Sequence, residues 1–210
     1  MLAAGAVLAR GGPNGRIDRR NGGSYIPDMA EAATEILPIV IAPARILKTK
    51  TRRVGPADAE AVRALLPRMF ATMYHAPGIG LAAPQVGVGL AVTVIDLMPN
   101  DRPAPLALIN PEIVAASDEL ATREEGCLSL PGQYAEVTRP ARVTVRYEDA
   151  TGARREIAAE GLLAACLQHE IDHLNGVLFV DHLSALKRNI ILRRLAKERR
   201  QNAAQPATAE

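Results

Sequence analysis

The sequence contains no tryptophan and only two phenylalanines, so a hydrophobic core must be built mainly from aliphatic side chains. It lacks a long uninterrupted apolar run and a secretory signal pattern, which argues against a membrane-spanning or exported protein. Cysteine is scarce as well. We expect Cys127 and Cys166 to be free thiols or metal ligands rather than a disulfide, because a chain of this kind is not secreted.

The length of 210 residues suits one domain, and basic residues are concentrated at both ends of the chain. Residues 1–28 are rich in Gly and Arg and show no helical or strand periodicity. They are interpreted as an unstructured leader or as sequence upstream of a start at Met29, and alternatively as an organelle transit peptide. We therefore expect a single domain over residues 29–200, followed by a flexible tail over 201–210.

Hydrophobic periodicity predicts an α+β fold. A helix is expected over residues 57–74, where Pro67 should kink or shorten it, and a central helix over 161–174 should end at Asn175-Gly176. The predicted strands cover 36–41, 90–97, 106–110, 141–147 and 155–160. A last, amphipathic helix spans about 184–200, with an apolar side formed by Leu186, Ile190, Ile191 and Leu195. Short strands between separated helices indicate antiparallel pairing around the central helix.

The segment "QHEIDHLNG" (168–176) places two histidines four residues apart on the central helix. Four residues advance a helix by little more than one turn, so His169 and His173 project from the same face and can reach one cation. Glu170 leaves the helix at an angle from which it can take a proton from a water without being a ligand. This arrangement is typical of a metal-assisted hydrolase, although two histidines in a core stripe would give the same spacing.

A third ligand is needed to complete such a site, and the residues leave more than one candidate. Phe179 stands where the extended HExxHxxGxxH motif has its third histidine, so that form of metalloprotease is excluded. Cys127, in the tight segment "EEGCLSLPG", and Cys166, three residues before His169, both remain open. A site with two histidines and one cysteine leaves a fourth position free, which is typical of a catalytic metal.

Three segments together resemble the signature motifs of the peptide deformylases. They are "GIGLAAPQVG" (78–87), "EEGCLSLPG" (124–132) and "QHEIDHLNG" (168–176), in the same order, within a similarity that runs from about Leu37 to Arg200. The resemblance implies that Cys127, His169 and His173 are the metal ligands, and it places Cys166 in the wall of the pocket. It also implies that residues 29–200 form a deformylase-like catalytic domain.

The resemblance further implies the catalytic groups. Glu170 would act first as general base and then as general acid, while Gln85 and the backbone N–H of Leu128 would stabilise the oxyanion. The reaction would be removal of the formyl group from the N-terminal formyl-methionine of new polypeptides, with release of formate. The metal would be Fe²⁺, as is typical of the family, although the ligands also suit Zn²⁺, Ni²⁺ and Co²⁺.

Substrate contacts are expected at two places. Ile79 and Gly80 would bind the peptide main chain in an extended form, because a glycine there lets the backbone come close to a substrate. The methionine side chain needs an apolar slot, for which the candidates are Leu162, Ala165 and Cys166. These three residues fit an ordinary core equally well.

The basic residues of the last helix, 187–200, have two interpretations. They are either a solvated helix face or a surface attracted to ribosomal RNA near the exit of the nascent chain. The expected partners are thus N-formylmethionyl nascent peptides and, through this helix, the ribosome, with no membrane. A bacterial cytoplasm is the expected location, and an organelle would follow only if residues 1–28 were a transit peptide.

Two other functions compete with deformylation. A related metal-dependent deacylase or peptidase could use the same centre on a different substrate, and formyl, acetyl and unblocked peptides would separate these activities. A non-catalytic protein with a structural metal is the other alternative. Glu170 and Gln85 argue against it, because neither residue is needed to hold a metal.

Overall fold

Three α-helices and seven β-strands make up residues 35–204, the part of the chain that the computed structural model describes. The helices are α1 (Ala59–His75), α2 (Gly161–Leu174) and α3 (Ala185–Ala204). The strands are β1 (Gly80–Ala82), β2 (Val92–Ile95), β3 (Leu106–Ala116), β4 (Leu120–Cys127), β5 (Leu130–Pro140), β6 (Arg142–Glu148) and β7 (Arg154–Glu160). The leader predicted over residues 1–28 and the end of the predicted tail, 205–210, lie outside the described residues.

The strands form two antiparallel sheets. Five of them pair in the order β1-β2-β3-β6-β7, and β4 and β5 form a separate hairpin. Every pair of neighbouring strands is antiparallel, so the predicted α+β class with antiparallel pairing is confirmed. Within residues 35–204, β1 pairs with β2 alone, and no described strand pairs with its other edge.

Helix α2 is the element around which the sheets are arranged. One buried face, with Leu163 and Leu167, packs against Leu108 and Val145 of the large sheet. The same helix also contacts β5 of the hairpin, so its side chains can meet residues of both sheets. Leu178, Phe179 and Leu195 form a separate apolar cluster with the hairpin residues Leu130 and Val137.

The end of α2 follows the sequence prediction. Asn175 is its C-terminal cap, and Gly176 adopts a left-handed conformation with φ of 73°. A side chain there would also collide with neighbouring backbone, because a Cβ on Gly176 would lie 2.8 Å from the carbonyl carbon of Lys48. Glycine is therefore required at this position for two independent reasons.

Several predicted elements differ from the structure. Residues 36–41 do not form a strand, because the N–H groups of Val40 and Ala42 donate to the carbonyls of Gln85 and Ser129, outside any strand. The segment that follows contains a short 3-10 helix, Arg45–Lys48. Helix α1 runs through Pro67 without ending there. The strands β1, β4 and β5 had not been predicted.

The apolar side predicted for the last helix is only half buried. Leu195 is 3% exposed and Ile191 is partly buried, but Leu186 and Ile190 are 72% and 56% exposed. Because α3 packs through the row that contains Ile191, Leu192 and Leu195, the other two side chains face solvent. Among the described helices, none combines the length and the apolar composition needed to cross a membrane.

Candidate metal centre and active site

Three side chains from two elements form a cluster of metal-binding type. Cys127 ends β4 at an irregularity of the hairpin, while His169 and His173 lie on one face of α2. One potential ligand atom from each residue lies within 4.8 Å of those from the other two, and Cys127 Sγ is 3.2 Å from His173 Nε2. Cys166 is not part of this group. Its Sγ points to the carbonyl oxygen of Ile79, 3.8 Å away.

The donor atoms of this cluster fit a divalent transition metal. His169 and His173 are 2% and 1% exposed, and the buried Nε2 of His169 has no hydrogen-bond partner among the described residues. Buried polar atoms without partners are rare in folded proteins, so an unpaired imidazole nitrogen beside a thiol indicates a place for a ligand. Burial also lowers the pKa of His173, which keeps this imidazole neutral and able to bind a cation.

Glu170 lies beside the cluster in an unusual environment. Its side chain is fully buried, and neither carboxylate oxygen has a hydrogen-bond partner among residues 35–204. Burial is the main reason that its pKa rises to about 7, although the nearby His169 opposes this shift. A carboxyl group with such a pKa can both accept and donate a proton near neutrality.

Gln85 is held so that its amide nitrogen faces the cluster. Its Oε1 accepts a hydrogen bond from the backbone N–H of Ala82 at 2.9 Å, which fixes the orientation of the amide. Its Nε2 then lies 3.4 Å from Cys127 Sγ and 3.3 Å from Ser129 Oγ. Leu128 and Ser129 form the two-residue turn between β4 and β5, so the N–H of Leu128 follows the cysteine directly.

A further acidic residue, Glu125, is hydrogen-bonded to one histidine of the cluster. Glu125, 1% exposed, accepts a hydrogen bond from His169 Nδ1 at 2.8 Å. When a metal binds Nε2, the hydrogen on Nδ1 would still be donated to Glu125 through this bond, which fixes the orientation of the ring. Burial alone would raise the pKa of Glu125, but hydrogen bonds from His169 and Arg139 outweigh it and lower the pKa to about 2.

The predicted substrate-binding residues come from the start of β1 and from the part of α2 that precedes Glu170. Ile79 and Leu162 pack against the cluster of buried residues that contains Ala165 and Cys166. Gly80 begins β1 directly against Glu170, since a Cβ on Gly80 would lie 2.9 Å from Glu170 Cδ. Burial, followed by the charge of Glu170, raises the pKa of Cys166 well above its usual value, so this residue stays a neutral thiol.

Comparison with known proteins identifies the family. Residues 36–189 match the family model described as polypeptide deformylase. The chain belongs to the peptide deformylase family. A peptide deformylase from Methylocella silvestris is 52% identical over 176 residues, which cover 82% of this chain and 89% of the relative. One from Mesorhizobium japonicum is 53% identical over 163 residues, covering 77% and 92%.

Solved structures of peptide deformylases agree with the fold. The crystal structure of the Legionella pneumophila protein superimposes with a TM-score of 0.76 at 47% identity, covering 82% of this chain and all of that one. The Ehrlichia chaffeensis protein, solved in complex with actinonin, gives a TM-score of 0.74 at 40% identity and covers 78% and 97%. Deformylase membership and the three-residue cluster together support a bound metal ion.

Sequence reasoning did not identify the polar residues that are linked by hydrogen bonds to His169 of the metal-binding cluster. Glu125, Arg139 and Asp172 are joined by hydrogen bonds, yet none was named as a candidate. The structure shows alternating exposed and less exposed side chains over residues 120–125, which puts Glu125 on the inner face of β4 beside the cysteine. The sequence carries no sign of this alternation, because the strand has no apolar repeat. It carries no sign of the contact between Arg139 and Glu125 either. The two residues are not opposite each other in the hairpin, because the backbone of Arg139 is paired with that of Ala121.

Proposed function

We propose that this protein removes the formyl group from the N-terminal formyl-methionine of newly made polypeptides and releases formate. One observation supports this function beyond family membership. The carboxylate of Glu170 is buried without a hydrogen-bond partner among the described residues, next to the Cys127, His169 and His173 cluster. A structural metal site has no use for such a group, whereas a hydrolase needs a base at this place.

Cys127, His169 and His173 would hold the metal ion, and we propose that the ion is Fe²⁺. Zn²⁺, Ni²⁺ and Co²⁺ are compatible with the same two imidazoles and one thiolate. When bound, the metal acts as a Lewis acid that acidifies water and polarises the formyl oxygen. Glu125 orients His169 for this task through its hydrogen bond to Nδ1.

Glu170 would take the proton of the attacking water and then deliver it to the leaving amine. Its pKa of about 7, raised mainly by burial, suits both steps. Gln85 Nε2 and the N–H of Leu128 would donate hydrogen bonds to the oxygen that becomes negatively charged. The bond from Ala82 to Gln85 Oε1 orients the amide before the reaction begins, so little reorganisation is needed.

The peptide would bind along β1 through Ile79 and Gly80. This strand has an edge without a partner in the five-stranded sheet, so an extended peptide could add to it by main-chain hydrogen bonds. The methionine side chain would enter the apolar group formed by Leu162, Ala165 and Cys166. Two of these residues lie on the turn of α2 just before His169, which brings the formyl carbon toward the cluster.

We propose ribosomal RNA as a second partner, bound by the exposed basic residues of α3. Arg193, Lys197 and Arg200 recur at helical spacing on one exposed face, and none has an acidic partner among the described residues. Replacing these three by Glu should abolish co-sedimentation with ribosomes at low salt and leave activity on short peptides intact. Unchanged co-sedimentation would contradict the proposal. Truncating the helix is a poorer test, because Leu195 is buried in the fold.

The proposed location is the bacterial cytoplasm, since both curated relatives described above come from bacteria. We further propose that the catalytic domain extends from residue 29 through α3, which continues to Ala204 rather than ending at residue 200, with 1–28 as a leader and a tail after the helix. A shortened protein that starts at Met29 should then have the activity and thermal stability of the full chain. A loss of either would show that part of the leader belongs to the domain.

Formate release from a short formyl-Met peptide tests the main proposal. Protein loaded with Fe²⁺ without oxygen should turn over, and Glu170→Ala should retain the metal but lose at least about a hundredfold in kcat. Acetyl-Met and unblocked peptides serve as controls, since a deacylase or peptidase would accept them. Failure of metal-loaded wild type to release formate would refute the proposed reaction.

A further inference from the structure

A chain of hydrogen-bonded polar side chains runs from the metal cluster to the protein surface. Glu125 lies behind His169, and Arg139 contacts Glu125 with two nitrogens, Nε at 2.6 Å from Oε1 and Nη2 at 3.0 Å from Oε2. The third nitrogen, Nη1, donates to Asp172 Oδ2 at 2.8 Å. His182 Nε2 lies 2.7 Å from the same oxygen and is 34% exposed in its side chain.

The chain joins three separate elements of the fold. Glu125 and Arg139 come from the two strands of the β4–β5 hairpin, Asp172 from α2, and His182 from the short 3-10 helix after α2. Arg139 is 6% exposed, so its guanidinium forms these contacts almost without water. The hairpin that carries Cys127 is thereby fastened to the helix that carries both histidines.

The geometry makes Arg139 responsible for the orientation of Glu125. Without Arg139, the buried carboxylate of Glu125 would keep His169 as its one partner among the described residues, and its side chain could rotate away from the ring. The two parallel bonds from Arg139 restrict both carboxylate oxygens at once. Lysine in the same position could supply the charge but not the two-pronged contact.

We propose that Arg139, itself held by Asp172 and His182, is a positioning residue that keeps Glu125 turned toward His169 and so slows release of the metal ion. The inference rests on the metal site of the proposed function, but it does not depend on the substrate. Loss of a residue that supports a metal ligand costs about tenfold to a hundredfold in metal affinity.

Metal release provides the test. Protein loaded with Co²⁺, whose thiolate absorption reports the bound ion, is mixed with excess chelator, and the decay rate is measured. Arg139→Lys should release Co²⁺ at least about tenfold faster than wild type. Arg142→Lys is the matched control, because Arg142, three residues after Arg139 at the start of β6, forms an exposed ion pair with Glu119 and should release at the wild-type rate.

Two further variants separate positioning from a general loss of stability. In a Glu125→Gln background, Arg139→Lys should add less than about a twofold increase in release, whereas a merely structural role would act equally in both backgrounds. His182→Asn, at the partly exposed end of the chain, should fold normally and release Co²⁺ about two- to threefold faster.

The outcomes distinguish this inference from the proposed function. Release from Arg139→Lys within about twofold of wild type, or an equal effect in both backgrounds, would overturn the inference even if the wild type deformylates peptides. Faster release from Arg139→Lys, with no effect in the Glu125→Gln background, would support it even if the wild type showed no formate release. In that case the proposed substrate would be refuted, and the proposed role of Arg139 would still stand.

Discussion

Replacing Gly80 by Ala should disable the base without disturbing the metal ligands. A Cβ at this position would lie 2.9 Å from Glu170 Cδ and 3.0 Å from Cys166 Sγ, and closer still to Glu170 Oε1. Unbonded carbon atoms in contact need about 3.5–4.0 Å. The carboxylate, the strand or both must therefore move by roughly 1 Å.

The size of the effect follows from this displacement. A misplacement of about 1 Å in a reacting group can cost on the order of a hundredfold in rate, and overpacking of a buried site costs about 1–3 kcal/mol of stability. We therefore expect Gly80→Ala to lower kcat for a formyl-Met peptide about a hundredfold. Its metal content should stay at the wild-type level, because the three atoms nearest to the added Cβ belong to Glu170 and Cys166 and not to a metal ligand.

The assay combines formate release, metal analysis and thermal unfolding on the same preparation. Gly89→Ala is the matched control, because a Cβ at Gly89 would meet nothing within 4 Å. It should behave as wild type in all three measurements. Wild-type kcat in the metal-loaded Gly80→Ala protein would refute the reasoning, since it would mean that Glu170 tolerates displacement or is not the base.

Three other changes have defined outcomes. Cys127→Ser should lose most bound metal on dialysis whereas Cys166→Ala should keep it, because only Cys127 belongs to the ligand cluster; equal retention would contradict this assignment. In denaturant titrations, Gly176→Ala should lower the unfolding free energy by about 1–3 kcal/mol more than Gly152→Ala. Both glycines have positive φ, but of the two only Gly176 has neighbouring backbone within 4 Å of an added Cβ. Asp149 is partly buried, which raises its pKa, but hydrogen bonds from Thr151 and Arg155 lower it to about 2. Since a lowered folded-state pKa gives stability that is lost as pH falls from about 4 to about 2, Asp149→Asn should flatten the stability profile there; an unchanged slope would contradict the shift.

The sequence allowed the central helix and the cluster on it to be predicted because both depend on local spacing. His169 and His173 share a face for the simple reason that a helix turns once in about 3.6 residues. The end of α2 was predictable for a similar reason, since Gly176 must adopt a positive φ. Choosing between Cys127 and Cys166 was different, because it depends on how the hairpin folds over α2 and therefore needed a resemblance.

The sequence predictions failed where the structure of a segment depends on contacts with residues that are far away along the chain. Residues 36–41 are as apolar as a strand, but the N–H of Val40 donates to the carbonyl of Gln85 and that of the following Ala42 to the carbonyl of Ser129, which no local pattern indicates. The strand β4 has three charged residues among its eight and β5 contains glycine and two prolines, so neither shows the apolar alternation of an ordinary strand. Glu125 and Arg139 are acceptable inside that hairpin only because they neutralise each other.

Glu125 and Glu170 are both buried carboxylates close to α2, but they differ in their hydrogen-bond partners. A last prediction follows from this difference. Glu125 is bonded to His169 and Arg139, whereas Glu170 is buried with no partner among the described residues. An unpaired buried carboxylate costs stability, and a protein keeps such a group only where function requires it. In the metal-free protein, Glu170→Met should therefore raise the unfolding free energy by about 1–3 kcal/mol while activity is lost.

Glu125→Met is the matched control in the same denaturant titrations. It also replaces a buried carboxylate by an apolar side chain of similar size, but it leaves Arg139 buried at 6% exposure without its main partner. Breaking a buried pair in this way should lower the unfolding free energy by about 3–5 kcal/mol. Opposite signs for the two substitutions would show that Glu125 maintains the fold and that Glu170 is kept at a cost for catalysis. A loss of stability in both would mean that Glu170 has a stabilising partner, and its assignment as the free base would fail.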